Sequence, residues 1–188
     1  LLQEQVGITV NGGSNNAGSI QTIFTRGASG GRTLVLLDGI PVNDPSFINN
    51  DLDLNLFATS SIERIEICRG AQSTLYGSDA IAGVINIITT SKDISKPLQI
   101  NVSTLLGSFG TVKNNVQIAG KKNKWTYSAR LAQTNSKGFS ASIDTTGKNK
   151  FDADSYHGTA LHGQLNYAAT EHFSIKAFSM YNKYKAGV

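Results

Sequence analysis

A single cysteine, Cys68, excludes an internal disulfide and any cysteine-built zinc cluster. Within the strand-like run IERIEIC it reads as a small buried filler. Only three histidines are present, His157, His162 and His172. The first two stand five apart on a strand-like segment, so they point to opposite faces and cannot jointly grip a metal. With so few histidines and scattered acids, nothing supplies a base beside a nucleophile, and no Ser-His-Asp set or paired-carboxylate site can be argued. A hydrolase on a mixed α/β scaffold therefore lacks its central pair, and the chain reads as a non-enzyme. The glycine-rich stretches RGAQSTLYG and RGASGGR lack the Gly-Lys-Ser/Thr ending of a phosphate loop and read as structural turns. No apolar run approaches the roughly 18 residues of a membrane-spanning helix; the best are LVLL and VINII. That excludes a helical span and leaves a β-barrel open, because barrel strands alternate and average out as polar.

Charge is unevenly placed. Residues 1–92 carry net −3 and residues 93–188 net +7, together the formal +4 of the 188-residue chain. The second half's lysines lie on turns and alternating positions (Lys113, Lys121, Lys122, Lys124, Lys176, Lys183). They form no stripe with interleaved aromatics of the kind a single-strand binder uses, so no nucleic-acid partner is expected. The start, Leu-Leu-Gln-Glu, has no initiator Met or signal segment, and the chain reads as an excerpt of a larger protein.

Two regimes meet at SKDISKP. Residues 1–92 form one expected domain, 93–97 a linker, and 98–188 a second region. The first regime is loop-rich. It holds a short buried strand at Thr33 to Leu37, a tight turn at Asp38-Gly39, a half-buried strand through Ile65 and Ile67, and a helical turn near Ala71 to Tyr76. A small α+β domain follows from this. In the second regime the period is strictly two. Leu98, Ile100, Val102, Thr104 and Leu106 share one face; Trp125, Tyr127, Ala129 and Leu131 share another; Leu161, Leu165 and Tyr167 a third. Connections are short at Phe109-Gly110, KKNK and ATEH, and long at 137–155. Trp125, Tyr127, Tyr167 and Phe173 sit about the last two short turns. Strands of about ten residues with alternating faces and aromatics near one end describe a transmembrane β-barrel, with a soluble β-meander as the alternative. Five strands cannot close a barrel, so on the first reading it is incomplete.

Few residues carry candidate chemistry. Arg26 and Arg69 each end a strand-like run before a glycine, where a guanidinium is either solvated or inserted into a carboxylate partner. Asp144, Asp152 and Asp154 lie in the long loop and can donate oxygens to calcium, although three carboxylates alone are too few.

The stretch IERIEICRGAQSTLYGSDAIAGVINIIT resembles the signature closing the plug domain of TonB-dependent outer-membrane receptors. IFTRG and GRTLVLLDGIPVND resemble the segments leading into it, in the family's order. Within that family, ITVNGGSNNAGSIQTIFTRG and LYGSDAIAGVINIITT are most similar to cobalamin receptors, as is FDADSYHGTALHG in the second half; the features are partly shared with siderophore and haem receptors.

The resemblance implies a fold, an α+β plug domain followed by antiparallel β-strands of an incomplete transmembrane β-barrel. It also implies a mechanism. The plug fills the lumen, as in 22-stranded transporters. Loops at the plug apex capture a large metal chelate from outside, and TonB rearranges the plug through an N-terminal segment absent here. The expected partners are thus TonB, the chelate, outer-membrane lipid and, as an accessory, a surface lipoprotein. The expected location is the outer membrane of a Gram-negative bacterium. Apex contacts fall on Ala28, Ser29, Gly30, Arg32, Asn43, Asp44, Phe47, Asn49 and Asn50. Arg26 and Arg69 lock the plug to barrel glutamates, and the connection after Arg69 forms a compact crossover. No cofactor is required. Calcium is admitted as an optional metal, because Asp152 and Asp154 match the Asp-x-Asp spacing of the calcium loop in cobalamin receptors and Asp144 does so more loosely. The rival expectation is a soluble plug-like binding module without transport.

Overall fold

A computed structural model describes residues 2–12, 17–47, 50, 52–56, 62–89, 94–140 and 153–187. The chain divides into two compact units, one of residues 1–15, 19–55 and 62–91, the other of 16–18, 56–61 and 92–188.

In the first unit, β1 (Ile8–Asn11) and β2 (Thr22–Thr25) pair antiparallel, with Ile8, Val10 and Ile23 turned inward. A four-stranded mixed sheet is built from β3 (Thr33–Leu37), β4 (Ile40–Pro41), β5 (Arg64–Arg69) and β6 (Gly83–Ile88), in the order β4-β3-β6-β5. The two central strands run parallel. Parallel strands covered on both faces read as continuous apolar runs, which explains why LVLL and VINII lack alternation. All five residues of β3 are buried, and Leu37, Ile85 and Ile87 are each 1% exposed. Removing such a side chain from water stabilises the fold by about 1.5–3 kcal/mol.

Polar groups finish the sheet's ends. Asp38, at φ 50° in the tight turn, accepts from the Thr89 backbone N–H at 3.0 Å and from its hydroxyl at 2.6 Å. Glu66 accepts from Arg64 at 2.8 Å and from the Asn86 amide at 3.1 Å, while Asn86 accepts from the Gly39 N–H at 3.1 Å.

Two expectations are corrected here. The connection after Arg69 is a hairpin, not a crossover, because β5 and β6 are adjacent and antiparallel. The helical turn α1 (Ser73–Tyr76) sits inside this hairpin, closed by Gly70 N–H to Ala82 O at 3.1 Å and Gln72 N–H to Ala80 O at 2.8 Å. A glycine is required where β6 begins: a Cβ on Gly83 would lie 2.6 Å from the Cys68 carbonyl. Cys68 itself is exposed rather than buried. It lies on the edge strand β5, on the same face as the exposed Glu66, where no layer covers it.

The second unit is a five-stranded antiparallel meander. It comprises β7 (Gln99–Gly107), β8 (Thr111–Lys122), β9 (Trp125–Ser136), β10 (Tyr156–Ala168) and β11 (Ser174–Ala186), paired in sequence order. The short turns fall near Phe109-Gly110 and ATEH as expected, while Lys121 and Lys122 of the expected KKNK turn belong to β8; β9 ends at Ser136 and β10 begins at Tyr156. Lys96 and Pro97 run against one end of the sheet: Lys121 N–H donates to Lys96 O at 2.9 Å, and the Tyr127 hydroxyl to Pro97 O at 2.6 Å. Gly120 lies beneath that contact, where a Cβ would collide with both Pro97 O and the Tyr127 ring.

The two faces of this meander are opposite in character to those of a soluble sheet. Register aligns Val102, Val116, Leu131, Leu161 and Tyr181 as one row across all five strands. Every member is exposed, from 37% at Val116 to 69% at Val102. The other face aligns Asn101, Gln117, Arg130, His162 and Met180, and there Arg130 and His162 are buried. An exposed apolar row, with buried polar side chains opposite it on β9 and β10, is the arrangement of a sheet whose outer solvent is lipid. Aromatic pairs mark both ends. Trp125 and Tyr167 lie 4.6 Å apart between ring centroids near the short turns, and Phe109 and Phe139 lie 4.9 Å apart at the long-loop end. The sequence pattern had placed aromatics at the first end only.

Candidate functional site

The candidate apex residues come from two segments of the first unit. Residues 30–32 form a single 3-10 turn entering β3, and residues 42–47 leave β4. The segments meet around a cleft of about 690 Å³, lined among others by Ser29, Arg32, Asn43, Phe47 and Asn50 from the expected set. Ala28, Gly30 and Asp44 do not line it. Asn49 lies outside the described residues.

Asn43 fixes the shape of this cleft. Its Oδ1 accepts from Val35 N–H at 2.7 Å, and its Nδ2 donates to Thr33 O at 3.2 Å and to Asn50 O at 3.1 Å. The side-chain amide thus ties the loop to β3 on one side and to Asn50 on the other, and builds the wall rather than offering its polar atoms to a ligand. Asp44 makes the neighbouring turn. Its carboxylate accepts from Ser46 N–H at 2.9 Å, and hydrogen bonds from the Ser46 side chain and backbone hold its pKa below the ordinary 3.8. Arg32 and Phe47, both exposed, are the lining side chains of these two segments best placed to meet a ligand.

Sequence reasoning missed the opposite wall. Asp79 and Ile81, from the hairpin between β5 and β6, also line the cleft. Ala82 N–H donates to Arg32 O at 2.8 Å, which brings the hairpin against the 3-10 turn. The parallel pairing of Thr33 with Gly83 creates that neighbourhood, and no local pattern announces it. One cation, one anion and an aromatic ring suit a large ligand with both polar and apolar surfaces.

Arg26 and Arg69 are both exposed. Arg26 adopts φ 50° and its N–H donates to Gly7 O at 2.7 Å, so the backbone, not the side chain, holds it in place. Among the described residues neither guanidinium has a carboxylate partner. Asp154 is half-buried, while Asp144 and Asp152 lie outside the described residues. Among the described residues no three His, Cys, Asp or Glu side chains gather to hold a metal ion, so calcium rests on the loop's spacing alone. No helix among the described residues is long and apolar enough to cross a membrane, which says nothing of strands.

Residues 1–84 match the TonB-dependent Receptor Plug Domain family. This segment is similar to a TonB-dependent receptor plug domain. The plug and the sheet after it share their fold with solved receptors. The siderophore receptor PirA from Acinetobacter baumannii superposes with a TM-score of 0.66 at 23% identity, covering 96% of this chain and 28% of that one. The pyoverdine outer membrane receptor FpvA from Pseudomonas aeruginosa PAO1 gives 0.69 at 17%, covering 96% and 24%. The FrpB iron transporter from Neisseria meningitidis gives 0.74 at 14%, covering 97% and 29%. The chain thus spans about a quarter of the length of these structures. The fold is a plug domain followed by antiparallel strands resembling the barrel portion of such receptors.

Proposed function

We propose that this chain is the plug and first five barrel strands of a TonB-dependent transporter. In this reading the protein sits in the outer membrane of a Gram-negative bacterium and takes up a large metal chelate actively. The observation that carries the reading is the sheet after the plug, in which the apolar row Val102–Val116–Leu131–Leu161–Tyr181 is exposed while Arg130 and His162 on the other face are buried. A soluble module with a β-meander appended would expose the opposite face.

The cleft between residues 29–32, 41–47 and 79–81, with Asn50, receives part of the chelate, with Arg32 and Phe47 as its contacts and Asn43 as the strut behind them. Arg26 and Arg69 hold the plug through carboxylates of the barrel wall, and TonB, acting on an N-terminal segment, releases that hold. Cobalamin is the first ligand to test, on the sequence resemblance. Siderophores follow closely, because the similar solved receptors include two named for siderophore or pyoverdine.

The test is uptake of labelled cobalamin and of ferric siderophores by cells expressing the full-length protein, with and without TonB. Uptake of one ligand that stops when TonB is deleted supports the reading. Recovery of the intact protein as a soluble periplasmic species contradicts it. Arg69→Ala is expected to lower the urea midpoint of plug unfolding inside the barrel. If Asp144, Asp152 and Asp154 hold calcium, a chelator weakens ligand binding; indifference to the chelator removes the metal.

A further inference from the structure

On the outward face of the meander, three neighbouring strands change character at the same height. Toward the long-loop end, β9 runs Ala129, Leu131, Gln133, Asn135; β10 runs Gly163, Leu161, Thr159, His157; β11 runs Ser179, Tyr181, Lys183, Lys185. Register sets these side by side. The exposed apolar row Leu131–Leu161–Tyr181 is followed by Gln133–Thr159–Lys183 and then by Asn135–His157–Lys185. The two polar rows enclose a cleft of about 270 Å³. Among the described residues lining it there is no carboxylate, while two lysines and a histidine contribute.

The cleft is organised for an anion. Lys183 and Lys185 share one face, about 7 Å apart along the strand, which suits the oxygens of a phosphate and its neighbouring esters. His157 Nδ1 lies 3.0 Å from Asn135 Oδ1, which fixes the ring beside the lysines. Thr159 and Gln133 add neutral donors in the row below. A charged pocket on a soluble protein's surface would have no particular depth. This one begins where the lipid-facing apolar row ends, on the side of the sheet that carries the 137–155 connection.

We propose that this cleft binds the phosphate-bearing headgroup of an anionic lipid in the leaflet at the long-loop end. The inference rests on the barrel reading above. Its acyl chains would then lie along the Leu131–Leu161–Tyr181 row, while the phosphate meets Lys183 and Lys185. Long loops face outward in such barrels, so the leaflet is the outer one. Lipid in the cleft would tie the mouth of the barrel to the membrane.

The test uses the full-length protein reconstituted in nanodiscs holding an equal mixture of phosphatidylglycerol and phosphatidylcholine. Lipids that remain bound after release into detergent are counted by native mass spectrometry. The wild type should retain phosphatidylglycerol selectively. A cation near an anionic surface contributes about fivefold, so Lys183→Gln with Lys185→Gln should reduce that retention roughly 20- to 30-fold. Thr159→Glu, which keeps both lysines and adds a charge to the cleft, should lower it as well. Equal retention in wild type and variants, from protein that has entered the nanodiscs, overturns the site and leaves the barrel standing. Displacement of the lipid by millimolar inorganic phosphate would make the ligand a free anion and overturn the lipid assignment. Failure of the full-length protein to enter nanodiscs overturns both readings together.

Discussion

The plug's sheet and the meander after it use the same residues against opposite solvents. In β3 and β6, leucine, valine and isoleucine vanish into the interior, with Leu37 and Ile87 each 1% exposed. In the meander, the residues of the same type stand outside, with Leu161 49% and Val102 69% exposed. Meanwhile Arg130 and His162 are among its most buried side chains. Apolar burial stabilises the first sheet at the expense of water contact, and the second only if something apolar lies beyond its outer face. The contrast teaches that alternation fixes which residues share a face, while the length and register of the strands decide which solvent that face meets.

The contrast can be broken in several ways. The largest effect is expected at the plug's centre. Ile85→Ala leaves a cavity between covered layers and should cost about 2–5 kcal/mol, read from urea unfolding of the plug in the full-length protein. The matching truncation Leu131→Ala, on the outer face, leaves no cavity and should cost well under half as much. Next comes Leu131→Lys, which should destabilise the protein in bilayers by about 2–4 kcal/mol if that row lies near the midplane. A soluble meander would tolerate the lysine with no measurable loss.

A third change sharpens the picture of the plug apex. Asn43→Ala leaves the Val35 N–H without its side-chain acceptor and frees Asn50, at a cost of about 1–3 kcal/mol. Chelate affinity should fall with it, since the cleft loses its strut; unchanged affinity would detach the cleft from binding. The smallest effect is at Asp44. Its pKa is lowered from 3.8 by the Ser46 hydrogen bonds, so the turn's stabilisation is full above that value and disappears as pH falls through the lowered one. The protection of the Ser46 amide against exchange should therefore hold from pH 7 to about 5 and fall, relative to its neighbours, only in strong acid.

Much of this architecture was legible because it is local. Period two set each strand of the meander, and turn residues such as Phe109-Gly110 and the KKNK stretch marked its hairpins. Asp38-Gly39 marked the β3–β4 turn, and the Ala71–Tyr76 stretch marked the helical turn. Ser29, Arg32, Asn43, Phe47 and Asn50 lie in the apex loops that the family resemblance implied, whereas Asp79 and Ile81 join them in the cleft only through a parallel pairing fifty residues apart. Such pairings depend on the whole sheet rather than on any window of sequence. Cys68 shows the converse failure: the alternation placed it on a strand, but its exposure depends on β5 being an edge, which the strand's own residues do not reveal. The row of apolar residues across the meander was likewise present strand by strand, and only register turned it into a band.

The central claim is that this band faces lipid, and one measurement addresses it directly. Single cysteines, introduced along β9 and β10 of the full-length protein after Cys68→Ser, would carry spin labels in bilayers. Collision with lipid-soluble oxygen and with a water-soluble nickel chelate would then be compared at each position. Labels at Leu131, Leu161 and Leu165 should collide with oxygen and not with the chelate, while those at Ala132 and Ala160 should show neither preference nor strong oxygen contact. Chelate collisions at Leu131, Leu161 and Leu165 equal to those of an exposed loop would place this face in water and contradict the account.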